Sequence, residues 1–119
     1  MSKRKTELRT RRNMTPKKWF CIHANRDEAD RCMWIYDLVK GVWLKIIFDM
    51  PGKLIITGKI KKVMPLSSSV VLEPTSVLFN SKIDDDRAGN GRISLHNFQI
   101  EKIFTNDETL CEKIRSLRV

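Results

Sequence analysis

The chain is poor in the residues that most enzymes and secreted domains depend on. Its three cysteines, Cys21, Cys32 and Cys111, are odd in number and show no C-x-x-C spacing. They suggest neither a disulfide framework nor a zinc site, and they suit a reducing compartment. There are two histidines, and neither they nor the scattered cysteines stand in a nucleophile–base spacing that would mark a hydrolase or transferase. No apolar run approaches the roughly 18 residues needed to cross a bilayer, and the N-terminus lacks the apolar stretch of a secretory signal. No catalytic residue, cofactor, metal or membrane contact is therefore expected, and the expected location is the nucleus, the cytoplasm or both.

Acidic residues are also scarce where basic ones are dense. The formal net charge is +9, yet Met1 to Ala24 holds eight basic residues (Lys3, Arg4, Lys5, Arg9, Arg11, Arg12, Lys17 and Lys18) against the single acid Glu7. The other 15 basic and 13 acidic residues leave a body of only +2. The charge is thus mostly a tail, read as a disordered arm over residues 1–24. Without apolar periodicity such a segment stays solvated. Its lysines and arginines suit phosphate contact through counterion release, and SKRK and RTRR also suit a nuclear-import signal. Trp19, Phe20 and Ile22 form a short apolar patch after it, suited either to packing back on the body or to docking on a partner.

The body, at this length, is one domain. Asn25 and Glu28 make a capping-box pattern with Asp27 in the first turn, and Ala29, Cys32, Met33, Tyr36 and Val39 recur at helical spacing before Gly41. A helix is predicted over Arg26 to Lys40. From Val42 to Phe104 follow five β-rich runs: VWLKIIF, LIITGKIKKV, VVLEP, VLFN and RISL-HN-FQIEKIF. Val42, Leu44, Ile46 and Phe48 put an apolar face on the first. Gly58 interrupts the second, as a sharp bend or close backbone approach requires. Pro74 marks a bulge or an end. Ser81 to Gly91 reads as a mobile polar loop whose aspartates lack the alternation of a calcium site. Thr105 and Glu108 repeat the capping box, with Leu110, Ile114 and Leu117 as the stripe of a short helix over 105–119. Five short strands in so few residues hide their edges by curling into a barrel or by pairing with another chain. The fold class expected is mainly β: a small, strongly bent five-stranded barrel, with an N-terminal helix and a short C-terminal one, over residues 25–104 and 105–119.

This order of elements resembles the Sm and LSm proteins over roughly residues 25–104. Asp49, Gly52 and Gly58 follow the first Sm motif, with one additional residue in the turn. The match then departs: Met64 stands where the family has Asp, and Ser67 and Ser68 where it has a Met-Asn pair. The second motif, Ile-Arg-Gly-x-x-Ile in the family, reads Leu95-His96-Asn97-Phe98-Gln99-Ile100. Asn97 can replace the glycine, since Asn tolerates positive φ.

The resemblance implies a base pocket at Ser67, Ser68 and His96, and these residues weaken it. Serine has no face for stacking, and neutral histidine lacks the fixed charge of arginine. Contacts to RNA would then fall to the arm lysines and arginines, with His96 and Asn97 at the pocket. The resemblance also implies pairing of the fourth strand of one subunit with the fifth of its neighbour, through Arg92, Ile93, Leu95, Phe98, Ile100 and Ile103. The reading that follows is an Sm-like module of an RNA-processing or snRNP-assembly complex. It would bind other Sm-fold proteins through its strands, in the manner of the divergent Gemin-type subunits of the SMN complex. The alternative is a ring-forming LSm subunit that touches RNA through its arm and loops. Tudor and SH3-like barrels stay open, although one tyrosine supplies little of the aromatic cage a Tudor domain needs.

Overall fold

The computed structural model describes residues 15–23, 35–96 and 99–116. They form an antiparallel sheet of seven strands: β1 (Phe20–His23), β2 (Trp43–Phe48), β3 (Leu54–Met64), β4 (Ser69–Phe79), β5 (Lys82–Ile83), β6 (Arg92–Ser94) and β7 (Ile100–Thr105). One helix, α1 (Glu108–Ser116), follows. The sheet runs β1-β7-β2-β3-β4-β5, and β6 also pairs with β4. The mainly β class and the C-terminal helix stand as expected from the sequence.

The finer architecture differs in four ways. The sheet has seven strands rather than five, because Phe20–His23 and Lys82–Ile83 each add a short one. Its path has two ends, so the barrel is not closed. VVLEP and VLFN are one strand: β4 runs through Pro74, and the irregularity appears instead in its register with β3, at Gly58–Ile60 and Ile60–Lys62. Most of the helix expected over residues 26–40 lies outside the described residues. Its end is a single 3-10 turn at residues 35–37, after which Leu38 to Lys40 are not helical.

The alternation read in β2 sets the core. Leu44 and Ile46 are fully buried and Phe48 nearly so. They pack with Ile60, Val70, Leu72, Ile100 and Ile103 from the neighbouring strands, and α1 adds Leu110, Cys111 and Ile114. Helix α1 is capped two residues later than the capping box suggested. The Leu110 N–H donates to Asp107 Oδ1 at 3.0 Å, so Asp107 is the cap. Thr105 is fully buried at the end of β7, and its hydroxyl accepts the Asp107 N–H at 3.3 Å.

Gly58 is where β3 and β4 approach most closely. A Cβ built there would lie 2.7 Å from Leu72 Cβ and 2.8 Å from the Pro74 carbonyl oxygen. Neither can move without shifting β4. Gly58→Ala is therefore expected to destabilise the domain by about 1–3 kcal/mol, the usual cost of overpacking, read from its urea midpoint. Lys61→Ala breaks only the exposed pair with Glu73, 2.7 Å apart, and is expected to cost less than about 1 kcal/mol.

Candidate partner-binding edge

A sheet with two ends has two rows of backbone groups that can recruit another strand, and this chain treats them differently. At one end β1 covers β7, with Phe20 opposite Thr105, Cys21 opposite Phe104 and His23 opposite Ile103. Helix α1 fastens β1 there. The Cys21 carbonyl accepts from Cys111 Sγ at 3.3 Å and from the Arg115 guanidinium at 3.1 and 3.3 Å. Ile22 is fully buried beneath them. Residues 20–23, part of the segment read as a disordered arm, are thus a strand of the sheet.

At the other end the outer edge of β4 is divided. Its C-terminal part is plugged by the acidic loop, which is tied down rather than mobile. Asp85 Oδ1 accepts the Val77 N–H at 2.8 Å and the Asp84 N–H donates to the Val77 carbonyl at 2.9 Å. Arg87 bonds Asp84 at 2.5 Å and lies 4.0 Å over the Phe79 ring. Asp85 thus supplies an acceptor and Asp84 a donor to an edge that would otherwise be bare.

The N-terminal part of β4 is covered by β6 alone. The Leu95 N–H donates to the Ser68 carbonyl at 2.7 Å and the Leu72 N–H to the Gly91 carbonyl at 2.9 Å. With Val70 opposite Ile93, antiparallel alternation turns the N–H and C=O of Gly91, Ile93 and Leu95 toward β4. Those of Arg92 and Ser94 face outward. The Arg92 N–H is met by Asn90 Oδ1 at 3.0 Å. Among the described residues no strand pairs with the outer side of β6. Gly91, just before β6, has φ of +75°, and a Cβ built there would clash with the Leu72 carbonyl oxygen. A side chain there would lift the strand off β4.

Beside this edge stands the tip of the β3–β4 hairpin. Leu66 is 101 % exposed, two residues before the Ser68 that Leu95 grips. The Ser68–Leu95 bond also brings together the two loops to which the pocket residues were assigned. Of the two serines assigned there, Ser67 is bonded locally, its Oγ donating to the Met64 carbonyl at 3.3 Å, and the neighbouring Ser69 Oγ donates to the Ser67 carbonyl at 3.0 Å. Ser68 is left-handed, with φ of 51°.

The residues assigned from sequence are scattered relative to this edge. Arg92 is exposed on it, and Ile93 is half-buried against the core. Leu95, Ile100 and Ile103 are core side chains with 0–1 % exposure. His96, Lys17 and Lys18 are exposed. Phe98, Asn97 and the arm residues Lys3, Arg4, Lys5, Arg9, Arg11 and Arg12 lie outside the described residues. Sequence reasoning missed the cover that β1 gives β7, although the alternation of Phe20 and Ile22 carries its signal. It also missed Leu66, whose only signal is its place beside Pro65. No protein-family model, curated protein or solved structure matches the chain.

The direction of the β6 backbone groups gives a paired prediction. Ser94→Pro removes an outward N–H and is expected to change stability by less than about 1 kcal/mol, because an edge strand tolerates proline with its N–H side facing solvent. Ile93→Pro removes a bond to β4 and is expected to cost about 3 kcal/mol or more. Urea titrations of the two variants make the comparison.

Proposed function

We propose that the chain is an Sm-like adaptor subunit of an RNA-processing or snRNP-assembly complex, in the nucleus or cytoplasm. It binds a second Sm-fold protein by strand addition at β6. The observation that carries this reading is the asymmetry of the sheet: β6 has an outer edge with no strand on it, while β7 is covered by β1 and locked by α1. The partner supplies the strand that would play the part of β7 in an uncapped relative. Main-chain bonds to Ser94 and Arg92 set the register, and Leu66 enters an apolar pocket on the partner. Three residues of β6 offer few bonds, so the apolar anchor provides much of the affinity in strand-addition complexes of this kind.

Several features support the Sm-like part of the reading. This reading assigns β2, β3, β4, β6 and β7, five of the seven strands, to an Sm-type arrangement, and Gly58 occupies a close backbone approach. The loops of Ser67–Ser68 and of Leu95–His96 meet, as the two halves of a base pocket would. The residue types and the locally bonded Ser67 hydroxyl favour a module that has kept the scaffold and lost the uridine pocket. A ring-forming subunit needs both edges, and the cover on β7 favours the adaptor over that alternative.

The test is co-expression of the full chain with Sm-fold proteins, followed by capture and native mass. One partner per chain is expected, with no closed ring. Capture is expected to fall at least tenfold with Ser94→Pro and severalfold with Leu66→Ser, both variants remaining folded. A closed ring, or capture unchanged by Ser94→Pro, contradicts the proposal.

A further inference from the structure

The sheet face away from the core carries a second surface, distinct from the β6 edge. Cross-strand register places Cys21, Phe104, Lys45, Thr57 and Ser76 in one row across β1, β7, β2, β3 and β4. Lys45 is half-buried between two aromatic rings, its ammonium 5.8 Å from the centre of Trp19 and 5.9 Å from that of Phe104. Both rings are themselves only half-buried. Lys59 lies opposite Trp43, a diagonal neighbour of Lys45 about 7–8 Å away by sheet geometry. Lys102 lies opposite Ile47 one step along the same face. Among the described residues neither Lys59 nor Lys102 is in an ion pair.

This face continues at one side into an open pocket of about 390 Å³ lined by Lys40, Lys59, Lys61 and Glu73. At the other side Lys17 and Lys18, both exposed, lead directly into Trp19. They belong to the segment that holds eight basic residues and one acid. Aromatic faces interleaved with lysines, on a surface fed by a basic segment, meet the two needs of an unpaired nucleic-acid strand. Its bases require flat apolar surfaces, and its phosphates require positive charge.

We infer that the outer face of the sheet, centred on Trp19, Phe104 and Lys45 and flanked by Lys59 and Lys102, binds single-stranded nucleic acid. Bases stack on the two rings, and the lysines track the backbone toward the pocket beside Lys40. Lys45 holds the rings in place through its cation–π contacts and presents its charge between them. In the row of Cys21, Phe104, Lys45, Thr57 and Ser76 no side chain is an amide or carboxylate that could read a base edge, so binding is tolerant of sequence. The site does not depend on the adaptor reading, since none of its residues lies on β6.

The experiment is fluorescence anisotropy of the full-length chain with a labelled uridine-rich RNA 12-mer, the corresponding duplex and poly-glutamate as a competitor, over a salt series. Single strand is expected to bind more tightly than duplex, whose bases are not free to stack. Trp19→Ala is expected to weaken it roughly 5- to 100-fold, the range of one lost stacking platform. The double variant Lys59→Glu, Lys102→Glu, at two surface positions, is expected to reduce the slope of log K against log salt by about 1.4, as two lost phosphate contacts imply. Circular dichroism checks folding, and if Trp19→Ala unfolds, the lysine variant decides. An unchanged slope in that variant, equal affinity for duplex, or poly-glutamate competing as well as RNA overturns the inference. Loss of RNA binding with partner capture intact separates this site from the β6 edge.

Discussion

The pairing of β1 with β7 is the constraint on which the rest of the molecule depends. Without it β7 is an edge strand. With it, the outer side of β7 is occupied by the chain's own backbone, and β1 becomes the end strand, its Cys21 carbonyl taken by α1. The pairing spans only four residues, too few to hold by ladder bonds alone against the entropy of ordering them. It is secured by Ile22, fully buried, and by the Cys21 carbonyl, which receives both the Cys111 thiol and the Arg115 guanidinium. Helix α1 is therefore a clasp on the edge cover. Its own cap, Asp107, follows directly on β7 and fixes where the clasp begins.

The same strand links the two proposed surfaces. By lying beside β7, β1 brings Trp19 within reach of Lys45 and Phe104, so the act that closes one edge also builds the aromatic part of the outer face. Lys17 and Lys18 thereby stand next to the Trp19 of that face. A partner at β6 and a strand of nucleic acid on the face would occupy different surfaces.

Much of this was legible in the sequence, and the failures have physical causes. Val42, Leu44, Ile46 and Phe48 alternate because one side of β2 is core, and that pattern is local. Gly58 announced its close approach because glycine in a strand has few other reasons to be there. Phe20–His23 escaped notice as a strand because it is short and follows a basic run, and only the distant β7 gives it a partner. Lys82–Ile83 is a two-residue strand, below what any periodicity can show. The Ser81–Gly91 loop read as mobile because polar residues look alike whether solvated or bonded; that Asp85 serves the Val77 amide is a tertiary fact. Thr105 matched a capping box, yet burial at the end of β7 left the role to Asp107. The open or covered state of an edge is likewise a matter of long-range pairing, so the candidate site was the least legible part.

The central claim is that β1, held by α1, covers β7 while the outer side of β6 carries no strand, and residue-resolved amide hydrogen exchange on the free chain tests it most directly. Ile103, Phe104 and Thr105 lie between two strands, so their amides are predicted to exchange slowly, as are Ile93 and Leu95, which face β4. The Ser94 amide is predicted to exchange quickly, since it points away from the sheet, and to slow when a strand-adding partner is present. Exchange at Phe20–His23 and at the outward β7 amides as fast as at Ser94 would contradict the account, because both ends of the sheet would then be open.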